Sequence, residues 1–191
     1  MNTKLLSVLV TSLMMISQTA TAQIETVPVG TVTATIGEAA YVGETLDVPS
    51  EGTSTAEWRT FGPVSSLSIQ AHDPDAESII QGILTIEIPL MGTDASGAMM
   101  DASVSWWPEG MNAPFYMNEE IGEDLSISID TLSLEEEGST IKGSFSAHLC
   151  RKDSFFAEAD TDDCLPVEGH FDTALMRAVN RRAKLTHLGG L

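Results

Sequence analysis

The sequence predicts an all-β protein, an antiparallel β-sandwich or barrel of about nine or ten strands with a short C-terminal helix. Three observations carry this expectation. Apolar residues recur at every second position over most of the chain, the period of a strand with one buried face. Gly, Pro, Asp and Ser gather between those stretches as turn residues do. Both cysteines of the 191-residue chain, Cys150 and Cys164, stand at the inner ends of two such stretches and would close one hairpin.

The first segment, residues 1–22, follows another pattern. Lys4 gives a positive start, Leu5 to Ile16 is apolar, and Ala20-Thr21-Ala22 supplies the small residues that signal peptidase needs. The run is shorter than the roughly 20 residues that cross a bilayer. Leu5, Leu6, Val8, Leu9 and Val10 ring a helix rather than striping it. This reads as a signal peptide, with no cysteine near the cleavage site to take a lipid. The chain is then expected in the periplasm or outside the cell, as one β-domain over 23–176 followed by a basic segment over 177–191.

In the β-domain, Thr31 to Ile36 alternates, and Gly37-Glu38 turns it into Ala39 to Val42. Thr45 to Val48 ends at Pro49, Ser50 to Thr53 is a turn, and Thr55 to Phe61 stops at Gly62-Pro63. Leu67, Ile69 and Ala71 share a face before the turn at His72-Asp73-Pro74-Asp75. Leu84, Ile86, Ile88 and Leu90 against Thr85 and Glu87 make the clearest half-buried strand. Val104 to Trp107 is stopped by Pro108-Glu109-Gly110, and Ala113 to Met117 is extended. Leu125, Ile127 and Ile129 alternate with Ser126, Ser128 and Asp130.

The final hairpin places Ile141, Gly143, Phe145, Ala147 and Leu149 on one face, and Lys142, Ser144, Ser146, His148 and Cys150 on the other. Its return strand sets Val167, Gly169 and Phe171 against Glu168, His170 and Asp172. After it, Leu175, Met176, Val179 and Ala183 fall at helical spacing and Gly189-Gly190 ends the run, which predicts the C-terminal helix.

Four stretches carry a family resemblance: Thr33 to Tyr41 (TATIGEAAY), Ala113 to Met117 (APFYM), Ile141 to Leu149 (IKGSFSAHL) and Val167 to Thr173 (VEGHFDT). In their order the chain resembles uncharacterised exported bacterial β-domains, whose last hairpin carries a G-[ST]-F-S and a G-x-F pair. The resemblance implies an antiparallel β fold and no activity.

Charge narrows the partners. The chain holds 28 Asp+Glu against 9 Lys+Arg, a net −19. Every acid lies at or before Asp172, while Arg177, Arg181, Arg182 and Lys184 follow it. So acidic a body repels nucleic-acid phosphates and anionic lipid. The expected partner is a protein or small-molecule ligand, with no nucleic acid and no membrane span. Two cysteines in an exported chain pair with each other, and closing the loop over residues 151–163 stabilises by about 3 kcal/mol. No second cysteine pair is present to complete a zinc site.

Three groups of side chains suggest chemistry, each with a plainer structural reading beside it. His148 and His170 lie on the polar faces of paired strands, where with Glu168 or Asp172 they would make a zinc or copper set, or else a simple surface pair. Asp160, Asp162 and Asp163 in the cystine loop, with Glu158 nearby, would suit calcium or be a solvated turn. Asp73, Asp75 and Glu77 also alternate, but Ser78 and Leu84 take the places of the Gly and closing Glu of an EF-hand. Trp106, Trp107 and Tyr116, with Phe115, would stack on a sugar or apolar ligand, or fill the core.

A Gly-x-Ser-x-Gly elbow, a His-Glu-x-x-His helix and a Gly-rich phosphate loop are all missing from the sequence. The reading is a binding or interaction module rather than an enzyme, needing no cofactor beyond calcium at most. The alternatives are a structural envelope or matrix component, or a secreted hydrolase.

Overall fold

The computed structural model describes residues 25–118, 125–135 and 138–178. They form β1 (Val27–Ile36), β2 (Ala39–Val48), β3 (Thr53–Ser54), β4 (Ala56–Phe61), β5 (Val64–His72) and β6 (Ile83–Met91). Then follow β7 (Ser103–Trp107), β8 (Phe115–Met117), β9 (Leu125–Ser133), β10 (Thr140–Lys152), β11 (Asp160–Ala174) and β12 (Met176–Arg177). The expected all-β class holds, and no helix occurs among the described residues.

The strands make one mixed sheet in the order β12-β4-β5-β6-β7-β8-β10-β11-β1-β2-β3, with β9 attached to β10 beside that path. Every pairing is antiparallel except β12 with β4. The path also returns on itself: Glu44 of β2 pairs with His72 of β5. Tyr41 reinforces this seam from inside, donating from its hydroxyl to the Ala71 carbonyl at 2.8 Å and the Gly82 carbonyl at 3.1 Å.

Alternation decides what faces the core. Leu84, Ile86, Ile88 and Leu90 are fully buried, and Val32, Leu67, Ile69, Val104, Ile141, Leu149 and Phe171 join them in one cluster. Close packing needs Gly at two inward positions. A Cβ on Gly43 would fall on the Tyr41 ring, and one on Gly143 would fall on the Phe171 ring. The buried hydroxyls of Thr45 and Thr173 satisfy each other at 2.6 Å, as buried polar groups must.

The predicted C-terminal helix is corrected at its start. Leu175 is buried, and its N–H donates to the Ser139 carbonyl at 2.8 Å. Met176 and Arg177 lie parallel to Glu57 and Trp58 of β4, and the Ala178 N–H donates to the Trp58 carbonyl at 2.8 Å. The segment thus begins as the strand β12 laid along β4, not as a helix. The remainder of the expected helix, and the signal segment 1–22, lie outside the described residues.

Candidate functional site

An open polar surface lies on the outward side of β9, β10, β11 and β1. Inward positions on these strands take the apolar residues, so the outward ones are left to Thr and Ser, with Lys142, His148, Glu168, His170 and Asp172 among them; Thr is well suited to a strand. The register aligns them in rows. One row runs Thr33, His170, Ser144, Ser128, and the next Thr35, Glu168, Ser146, Ser126. Neighbours across a row stand about 4.8 Å apart and successive rows about 6.7 Å apart, the spacings of any β-sheet. A recess of about 520 Å³ is lined by Thr33, Thr35, Ser126, Ser144, Ser146 and His170, among others. A second, of about 390 Å³, shares Thr35, Ser146 and Glu168 with it and reaches His148 and Gly37.

No protein family, no curated protein and no solved structure matches the chain.

The site's geometry separates the two histidines. Ser144 pairs with His170, but His148 pairs with Pro166, four residues along. At the rise of a strand this is about 13 Å, too far for one metal ion. The sets of His148 and His170 with Glu168 or Asp172 are therefore not brought together. Asp172 instead meets Lys142 at 3.2 Å, a pair exposed on both sides and of small energetic weight. His148 lies near both cysteine sulfurs, all three donor atoms within 4.8 Å. The expected disulfide has formed, however, so each sulfur is bonded to the other rather than available as a thiolate.

Asp160, Asp162 and Asp163 do not converge either. Asp160 Oδ1 accepts from the Asp162 N–H at 3.1 Å, a local turn. The Asp163 carboxylate turns away to the Tyr116 hydroxyl at 3.3 Å and to Arg151 at 4.0 Å. Among the described residues, no three carboxylates gather closely enough to hold an ion. Asp73 likewise accepts from the Asp75 N–H at 2.9 Å in a turn of its own.

The aromatic residues have used their faces on one another. Trp106 and Trp107 point to opposite sides of β7, as adjacent strand residues do. Trp106 packs inward, edge-on to Tyr41 at 5.1 Å. Trp107 faces out yet is buried, stacked on Phe115 at 4.0 Å and 10°. Phe155 of the cystine loop lies over both, 5.4 and 5.0 Å away. Ile83 and Met117 complete this second, smaller cluster. Burial and the neighbouring Asp163 together push the Tyr116 phenol up. Trp107 is thus covered, while Trp106 and Tyr116 are half-buried against the main core.

Two titratable groups stand out that the sequence reading passed over. Glu87 is the lone acid of β6, and its Oε1 accepts from the Ser68 hydroxyl at 2.6 Å. Burial pushes its carboxyl up, opposed by that hydrogen bond and by Arg59. It lines a small recess of about 140 Å³ with Glu57, Arg59 and Ser66. An isolated acid inside Leu84-Thr85-Ile86-Glu87-Ile88 was the available signal. His72 is buried at the β2–β5 seam, with Nδ1 2.8 Å from the Ile79 carbonyl and Nε2 without a partner. Its Nδ1 thus carries the proton, and burial holds the ring below its ordinary pKa.

Proposed function

We propose that the protein is an exported binding module, and that the outward face of β9, β10, β11 and β1 takes a neutral, hydroxyl-rich chain such as a polysaccharide strand. One observation carries the reading. Two adjoining recesses share Thr35, Ser146 and Glu168, and the larger presents the hydroxyls of Thr33, Thr35, Ser126, Ser144 and Ser146. A hydroxyl both donates and accepts, as a sugar hydroxyl does, so the two exchange hydrogen bonds in either sense.

The larger recess is also poor in charge, the Lys142–Asp172 pair standing in the next row. In a chain with 28 acids, Glu168 is the one acid lining the larger recess, so a neutral ligand meets little of the repulsion that an anion would. The open shape and the missing aromatic platform point to a weak complex, with Kd about 1 mM. Export is supported by the pattern of residues 1–22 and by the Cys150–Cys164 disulfide.

The test is titration of neutral polysaccharides against the oxidised protein, followed through its amide resonances. Shifts should centre on Thr33, Thr35, Ser144, Ser146 and His170. The double variant Thr35→Val, Ser146→Ala should weaken binding at least tenfold and leave Tm within a degree or two. Equal binding by the variant, or no shift with any neutral glycan, would sink the proposal.

A further inference from the structure

We infer that the free edge of β9 is a docking site for an extended segment of a protein partner, a strand with alternating apolar residues and net positive charge. Its neighbour β10 is paired on both sides, by β11 on one and by β9 and β8 on the other. Among the described residues, β9 pairs with β10 alone. Nine residues of strand therefore present backbone N–H and C=O groups to the side where another strand would lie.

An independent observation agrees. Leu125, Ile127, Ile129 and Leu132 pack against the main core but are only partly buried. Opposite them on β10, Ile141, Phe145 and Ala147 are buried. The apolar row of β9 is missing its cover on one flank, and a further strand with apolar residues at alternate positions would supply it.

The other ends of the sheet do not invite this. The terminal strands β3 and β12 are two residues each, and short edge strands are a common protection against unwanted pairing. From Leu125 to Ser133 there is no Pro, Lys or Arg, and the single charge, Asp130, sits where the register with β10 slips. Charge selects the occupant. A second copy would bring the same net −19 and be repelled, whereas a basic segment is drawn in. The edge adjoins the hydroxyl face at Ser126 but would bind through backbone amides rather than side-chain hydroxyls, so either proposal can fail alone.

The experiment uses the full oxidised protein and three synthetic peptides of the same length. The first alternates Val with Lys, the second replaces Lys by Glu, and the third carries N-methyl groups on alternate amides of the first. Binding is read by fluorescence anisotropy and by amide hydrogen exchange. The basic peptide should bind and slow exchange across Leu125 to Ser133 at least tenfold, and the other two should bind at least tenfold more weakly. Equal binding by the N-methylated peptide would overturn the inference, because strand pairing needs those amides. So would binding that leaves the β9 amides unprotected, outward β9 amides already protected in the free monomer, or a dimer sealed through β9 in sedimentation.

Discussion

The outward side of β6, β7 and β8 and the outward side of β9, β10, β11 and β1 obey the same alternation, yet they finish differently. The first exposes Ile83, Trp107, Phe115 and Met117, which are too apolar to leave in water. The loop between β10 and β11 brings Phe155 across them, and Trp107 and Phe115 end up buried. The second exposes threonines and serines, which water solvates well, and there no other described residue lies across them. Of the aromatic residues expected to form a ligand site, Trp107 is covered by the protein's own Phe155, while Trp106 and Tyr116 pack against the main core. What is left uncovered is polar, and the proposed ligand is polar for that reason.

The largest expected effect breaks the covered side. Trp107→Ala should cost about 3–5 kcal/mol in urea unfolding, the range for truncating a buried aromatic side chain. Thr33→Ala on the open side should change stability by less than about 0.5 kcal/mol, as exposed substitutions do. Similar losses at both positions would mean that the two faces are equally packed. Next in size is the double variant Cys150→Ser, Cys164→Ser, expected to lose about 3 kcal/mol through the longer free loop of the unfolded chain. It should also loosen Phe155 over Trp107, visible as a red shift in tryptophan emission. A loss of stability without that shift would separate the disulfide from the cover.

Smaller effects follow from the two shifted groups. Burial holds His72 below its ordinary 6.5 in the folded state, so the unfolded chain takes the proton first on acidification. Its contribution is fully present above 6.5 and is lost as pH falls from there through the folded value. His72→Asn should flatten the fall in urea midpoint over that window. Glu87 has the opposite sense, its folded value lying above the ordinary 4.5. Its contribution is present below 4.5 and lost as pH rises through the folded value, so Glu87→Gln should stabilise slightly at neutral pH and not at all in acid. An unchanged pH profile in either variant would assign the effect to another group.

Much of the fold was legible because burial on one face writes itself into every second residue. Leu84 to Leu90 predicted a strand, and β6 spans Ile83–Met91. The start of the expected helix was misread because Leu175 and Met176 fit two geometries. An apolar pair followed by polar residues suits a helical stripe, but here Leu175 enters the core while Met176 pairs with β4. The site was less legible. Alternation assigned His148 and His170 to the same face correctly, but register lies in the pairing of two strands and not in either one. A separation of four residues dissolved the metal set. Phe155 as a cover for Trp107 was equally invisible, since the two meet only after the sheet has folded. That β9 pairs with β10 alone among the described residues is a matter of strand order, to which periodicity is blind.

One pairing sets a timetable for the chain. β1 lies between β2, its neighbour in sequence, and β11, which ends at Ala174. The row containing Thr33 and His170 therefore joins the first strand to the last long one, and no shorter piece of the chain can assemble it. Contacts this distant in sequence slow folding to roughly milliseconds to seconds. The hairpins of β1–β2, β5–β6 and β10–β11 can form early, each from its own neighbours. A chain that stalls before β1 meets β11 would keep most of its hairpins but lack Thr33 and Thr35 beside His170 and Glu168, leaving the hydroxyl face without one of its walls.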